Sequence, residues 1–240
     1  MSKVEIKLNE GLDTAALSKA YKKSSRLKIK DLLVSDAAEA ALKSVFDDTR
    51  WLLSHTKDGK IERLKGPAIQ ALGEDENQKT MIDIYKNAEE NHQTFLYTFP
   101  LEDEELRAEY PDLYAYKVLE FLNSKPMLDF VRKVTGIKTL KRATAECNWY
   151  KRDHFTTLSK DENLEKGQRV SYTLNLTKDW LADWGAFQQF FDDEGHVEEG
   201  YMPTFNALEL FTAPQNHSVS VTAPFSGHPR LSITGWYYDA

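Results

Sequence analysis

The 240-residue chain predicts an α+β fold that is mainly β. Its C-terminal half reads as a jelly-roll barrel or sandwich, and its N-terminal half as helices packed on one sheet. Three observations carry this. Residues 168–177 alternate strictly: Val170, Tyr172, Leu174 and Leu176 face one way, and Arg169, Ser171, Thr173 and Asn175 the other. Short runs rich in β-branched and aromatic residues recur at 143–150, 154–159, 186–191, 206–212, 217–222 and 230–238, with turn residues between them. Before Gly136 the apolar residues recur mostly at helical spacing. A single domain over 1–240 follows, with a mostly helical support at 1–136 and the β core at 137–240.

Taken in order, residues 26–34 read as a short strand. Asp36 and Glu39 have capping-box spacing ahead of a helix whose Ala38, Leu42, Val45 and Phe46 share a face. Met81, Tyr85, Ala88, His92 and Phe95 mark a second apolar stripe at helical spacing. Pro111 is expected to begin a helix carrying Tyr114, Val118 and Phe121. Pro126 sits in the first turn of a helix over Met127 to Thr135, which Gly136 ends.

Hydrophobic residues make up 41% and charged residues 29%, an ordinary composition for a soluble globular protein. With a net charge of −7 and no basic stripe, nucleic acid is excluded as an expected partner. No apolar run is long enough to span a membrane, and Met1 to Glu5 opens no signal-peptide pattern. The one cysteine, Cys147, forms no internal disulfide and no paired-cysteine zinc motif, which fits a cytoplasmic location. His55, His92, His196 and His228 have no partner at metal spacing.

The C-terminal half resembles the iron(II)- and 2-oxoglutarate-dependent dioxygenases of the prolyl 4-hydroxylase type. The matching pieces are Trp149-Tyr150, Phe155 to Asp161, Arg169 to Trp180, Trp184-Gly185, Pro203 to Asn206, His217 to Val219 and Arg230 to Trp236. The first half is similar, more loosely, to the helical support of bacterial members. The resemblance implies a double-stranded β-helix core. It also implies a metal held by two histidines and a carboxylate on one face, leaving the other face open. By resemblance, Asp161 and His217 are metal ligands and Arg230 anchors the far carboxylate of 2-oxoglutarate. Tyr150, Asn175 and Thr173 line the cosubstrate site, and Gln188 and Trp236 the substrate pocket, although Trp236 also reads as a packing residue.

The implied cofactors are Fe(II), 2-oxoglutarate and O2. The implied reaction is hydroxylation of a prolyl-containing or small-molecule substrate, with succinate and CO2 as co-products. A homodimer is compatible with the resemblance. One departure is central: Ser159 stands where the family's first ligand histidine belongs, and a hydroxyl is a poorer iron(II) donor than imidazole. If the segment is extended, Phe155, Thr157, Ser159 and Asp161 share a face, and His154 on the other is surface or second-sphere. Ala186, where a glycine pair is usual, and Gln188, where an apolar residue is usual, are further departures. These leave two alternatives: a binding module for a dicarboxylate or a protein, and a different metal-dependent reaction at an Asp/His pair.

Overall fold

The computed structural model describes residues 4–71, 73–90, 92–161 and 164–240. The helices are α1 (Thr14–Ser24), α2 (Ser35–Asp47), α3 (Gly66–Ala71), α4 (Glu74–Glu90), α5 (Glu104–Glu109), α6 (Ala115–Leu122) and α7 (Lys125–Thr135). The strands of the first half are β1 (Arg26–Ile29), β2 (Leu52–Lys57), β3 (Lys60–Leu64) and β4 (Thr94–Pro100). Those of the second are β5 (Arg142–Ala143), β6 (Glu146–Tyr150), β7 (Phe155–Ser159), β8 (Gln168–Asn175), β9 (Gln188–Phe191), β10 (Val197–Tyr201), β11 (Ala207–Thr212), β12 (His217–Val219) and β13 (Arg230–Tyr238).

All pairings are antiparallel, and the strand order β1-β11-β8-β13-β6-β4-β7-β12-β9-β10 runs continuously through both walls of a double-stranded β-helix. Alternation assigns the two faces of the larger wall. Tyr172, Leu174, Leu208, Leu210, Ile233 and Cys147 point outward into one core with residues of α1, α2, α6 and α7. The inward face carries polar groups instead: Thr173, Asn175, Glu209, Arg230, Ser232 and Asn148, all buried. A sheet with one apolar and one polar face needs helices on the first and a lined cavity on the second.

Helix α7 is built as its sequence dictates. Ser124 caps Met127 N at 3.4 Å, Pro126 occupies the first turn, and Gly136 stops the helix at φ 79°. Met127, Leu128, Phe130, Val131 and Val134 are all buried. Each contributes roughly 1.5–3 kcal/mol on leaving water.

Four expectations are corrected. The capping box at Asp36 does not form: α2 begins at Ser35 with Val34 as its N-cap and no side-chain bond, so Asp36 falls inside the first turn. The stripe from Met81 to Phe95 is broken, because α4 ends at Glu90 and Phe95 belongs to β4. Within α4 it is Ile84 that is buried, whereas Tyr85 is exposed. Pro111 lies in a turn, and the helix starts at Ala115. Among its helices the first half also supplies β2, β3 and β4. The β2–β3 hairpin turns on Asp58 and Gly59, both at positive φ, as a two-residue reversal requires.

Candidate functional site

The inward face of the barrel encloses a cavity of about 410 Å³. Six of the nine residues singled out from sequence stand on its wall: Tyr150, Thr173, Gln188, His217, Arg230 and Trp236. Asn175, Ser159 and Asp161 are not on that wall but lie next to residues that are. Asn175 is two residues from Thr173 on β8, Ser159 pairs with His217 across β7 and β12, and the Asp161 carboxylate lies 3.7 Å from the His217 ring.

Arg230 is the largest fully buried side chain among the described residues. Its guanidinium lies 5.2 Å from the centre of the Tyr150 ring and donates one hydrogen bond, Nη1 to the Ala186 carbonyl at 2.8 Å. Its Nε has no partner, and neither have both amide atoms of Asn175 or the Ser232 hydroxyl. Buried donors left over in this way fit the carboxylate of a bound acid, because an unpaired buried polar group costs about 1–3 kcal/mol. Ala186 presents its carbonyl to Arg230 from a left-handed backbone at φ 53°. An alanine there costs on the order of 1 kcal/mol against glycine. At Gly185, φ 68° and the Val221 carbonyl beside it leave no room for a Cβ.

The candidate donors Asp161 and His217 are both tied to one loop. Gln215 N–H donates to Asp161 Oδ2 at 3.2 Å, and the Gln215 carbonyl accepts from His217 Nδ1–H at 2.8 Å. That bond fixes the imidazole tautomer and leaves Nε2 as the nitrogen for a ligand. Asp161 Oδ2 lies 3.7 Å from His217 Nδ1, and its side chain is only 4% exposed, so it is not the solvated turn residue its charged neighbours suggest. The Gln215 amide is in turn tied down. Oε1 accepts from Arg26 Nη1 at 3.0 Å, and Nε2 donates to the Ser25 and Thr212 carbonyls at 3.1 and 3.0 Å. No sequence signal marks Gln215 beyond its place two residues before His217. Gln215→Ala is expected to weaken Mn(II) binding about tenfold to a hundredfold, read by equilibrium dialysis. Unchanged affinity would show that the loop holds its shape without the amide.

The reach of Ser159 differs from simple alternation. Val219 pairs with Thr156 and His217 with Ser159, so β7 carries a bulge between these positions. Phe155 accordingly packs outward with Ile84 and Phe95, Thr156 faces the cavity, and Ser159 returns to the side of His217. The four-residue face expected from Phe155 to Asp161 is thus interrupted. Ser159 Oγ accepts from Asp161 N at 3.4 Å. Among the described residues no three His, Cys, Asp or Glu side chains converge as a metal site. Asp161 and His217 are the two candidate donors that lie side by side there, with Ser159 paired opposite His217. His154 is no surface residue. It is buried against Phe95 and Tyr97, accepts from Lys151 N at 3.1 Å, and burial pulls its imidazole down to about 4. Gln188 is buried, with Nε2 donating to the Ser218 carbonyl at 3.3 Å, so its amide faces inward.

Glu209 went unremarked in the sequence. It is buried on the inward face of β11, where neither carboxylate oxygen meets a donor at full hydrogen-bond geometry, the Asn175 amide and Lys28 being its polar neighbours. Lys28 Nζ stands 3.5 Å away. Only the parity of β11, read with the polar face of β8, could have marked it.

Residues 145–238 match the family model of the 2OG-Fe(II) oxygenase superfamily. The mouse (Mus musculus) prolyl 3-hydroxylase OGFOD1 is 28% identical over 151 residues, which is 60% of this chain and 26% of that protein. The chain thus spans about a quarter of that relative's length. Among solved structures, a Pseudomonas putida prolyl-4-hydroxylase superposes with a TM-score of 0.59 at 16% identity, covering 94% of this chain and 98% of the other. A Trichoplax adhaerens prolyl hydroxylase, solved with a hypoxia inducible factor peptide fragment, gives 0.60 at 15% identity, covering 94% and 89%. A Burkholderia pseudomallei oxidoreductase of the 2OG-Fe(II) oxygenase family gives 0.60 at 12%, covering 100% and 97%. These likenesses establish the double-stranded β-helix fold.

Proposed function

We propose that this chain, whose family match and fold point to a prolyl-hydroxylase-like 2OG-Fe(II) oxygenase, hydroxylates a C–H bond of a prolyl-containing or small-molecule substrate in the cytoplasm, with residues 1–240 acting as one domain. The observation that carries the reading is Arg230. It is a buried guanidinium on the cavity wall whose Nε and polar neighbours are left without partners. When bound, iron(II) with 2-oxoglutarate and O2 supplies the oxidation of C–H to C–OH, releasing succinate and CO2.

The chain's own residues do the placing. Arg230 pairs with the far carboxylate, and Tyr150 backs the guanidinium with its ring face. Asp161 and His217 hold the metal from one side, both steered by Gln215. Gln188 and Trp236 line the same cavity and would face a substrate bound there. The test is an anaerobic titration with Fe(II) and 2-oxoglutarate, followed by the visible charge-transfer band of the chelate. The band is expected to saturate with the wild type. With Arg230→Met, half-saturation is expected to need at least about a hundredfold more 2-oxoglutarate, the loss of a buried charge-assisted pair. No band at any concentration would remove the oxygenase reading.

One observation favours a second reading. The hydroxyl of Ser159 opposite His217 is a weak donor, which suits a scaffold that binds a dicarboxylate without turning it over. In that case 2-oxoglutarate still binds through Arg230, and succinate never appears.

A further inference from the structure

Three strands bring unpartnered polar groups to one place. Glu209 of β11 pairs with Thr173 of β8, and Thr173 pairs with Thr234 of β13. Asn175 of β8 pairs with Ala207 and Ser232. Arg230, Ser232, Asn175 and Glu209 therefore share the inward face of adjacent strands, and each has a side-chain atom buried without a hydrogen bond. A carboxylate in such a place is unusual, because buried charges are ordinarily paired and hydrogen-bonded.

The charged and titratable groups around it can be named element by element. Lys28 of β1 stands at 3.5 Å, but its ammonium also donates to the Met202 carbonyl. Arg26 of β1 is taken up by Glu198, Glu199 and Gln215. Arg230 comes from β13, Tyr201 from β10, and β8 contributes only the neutral Thr173 and Asn175. Arg230 acts on Glu209 through its charge without an ion-pair contact, and would act in the same way on an anion entering the cavity.

We propose that Glu209 makes dicarboxylate binding at Arg230 proton-coupled, the Glu209 carboxyl being neutral whenever a dianion occupies the cavity. The proposal rests on the reading of Arg230 as the carboxylate anchor. Two negative charges beside one guanidinium in a low-dielectric interior repel, so the second enters only as the first takes up a proton from solvent. No bond other than the O–H of Glu209 forms. Burial already pushes this carboxyl up to about 7, with Arg230 and then Lys28 pulling it down. An arriving dianion raises it further. Affinity is therefore full below pH 7 and falls above it, with net proton uptake on binding.

The test is isothermal titration of the Mn(II)-loaded full chain with 2-oxoglutarate between pH 6 and 8.5, in buffers of different ionisation enthalpy. The wild type is expected to lose about tenfold in affinity per pH unit above 7 and to take up protons as it binds. Glu209→Gln is expected to bind without proton uptake, with a flat profile, and more tightly than wild type at pH 8.5. Lys28→Met, which removes a charge that lowers the Glu209 pKa, is expected to move the fall to higher pH. It keeps the test decisive if Glu209→Gln folds poorly. A slope and proton count unchanged in Glu209→Gln, with binding still lost in Arg230→Met, would overturn the coupling alone. Failure of wild type and Glu209→Gln to bind at any pH would overturn the anchor itself.

Discussion

Replacing Ser159 with histidine is expected to tighten Mn(II) or Fe(II) binding at least about a hundredfold, the upper end of what even indirect metal-site contacts are worth. Register gives the reason. Ser159 lies directly opposite His217 across β7 and β12, where facing Cβ atoms are roughly 5 Å apart. The bulge in β7 returns residue 159 to the cavity side, and Asp161 follows with its carboxylate beside the His217 ring. A histidine at 159 is therefore expected to meet both candidate donors, and half-exposed Ser159 leaves space for the larger ring. Equilibrium dialysis reads the result. Equal affinity in wild type and variant would mean that the three positions do not converge on one ion, and the metal reading of Asp161 and His217 would fall.

The second large effect is expected at Gly235. It sits in β13 between Thr234 and Trp236, both on the cavity wall. A Cβ there would collide with the Thr144 carbonyl and come within 2.9 Å of the Tyr172 hydroxyl. Those two groups are bonded to each other, Tyr172 Oη donating to Thr144 O at 2.6 Å. Gly235→Ala must push the chain at Thr144 away or break that bond. The expected cost is roughly 3 kcal/mol, a fall in Tm of about 6–12 °C for a chain of this size. A thermal melt checks it. A fall under about 2 °C would show that the neighbouring chain yields freely.

The C-terminal strands were legible because their pattern is period two over several residues and one face is apolar. The parity of β8 alone orders Thr173 and Asn175 inward and Tyr172 and Leu174 outward. β2 and β4 were not legible. Leu52 to Lys57 and Thr94 to Pro100 have apolar residues on both faces, since one face meets the helices or α4 and the other the barrel, and such runs carry no alternation. The bulge in β7 was hidden for a different reason. It is imposed by pairing with β12, a partner nearly sixty residues away, and nothing in the local sequence Phe155 to Ser159 announces it. The candidate site divides in the same way. Arg230, His217 and Tyr150 were reached through resemblance, whereas Gln215 acts through its backbone and Glu209 through a neighbour on another strand. Neither of those leaves a motif.

The place of β4 has a consequence for how this molecule can be cut. In the strand order it stands between β6 and β7, so the stretch 145–238 that carries the family pattern contains both banks of a seam and not the strand that joins them. The first half of the chain is then no detachable appendage. Its strand β4 stitches the two walls together, and β1 closes the far margin by joining Arg26 to Phe211. Such distant pairings must form before the cavity has walls, so the barrel assembles late and as a whole. An excised C-terminal half would be an open, unjoined pair of sheets with bare edges, prone to stick to its copies rather than to fold.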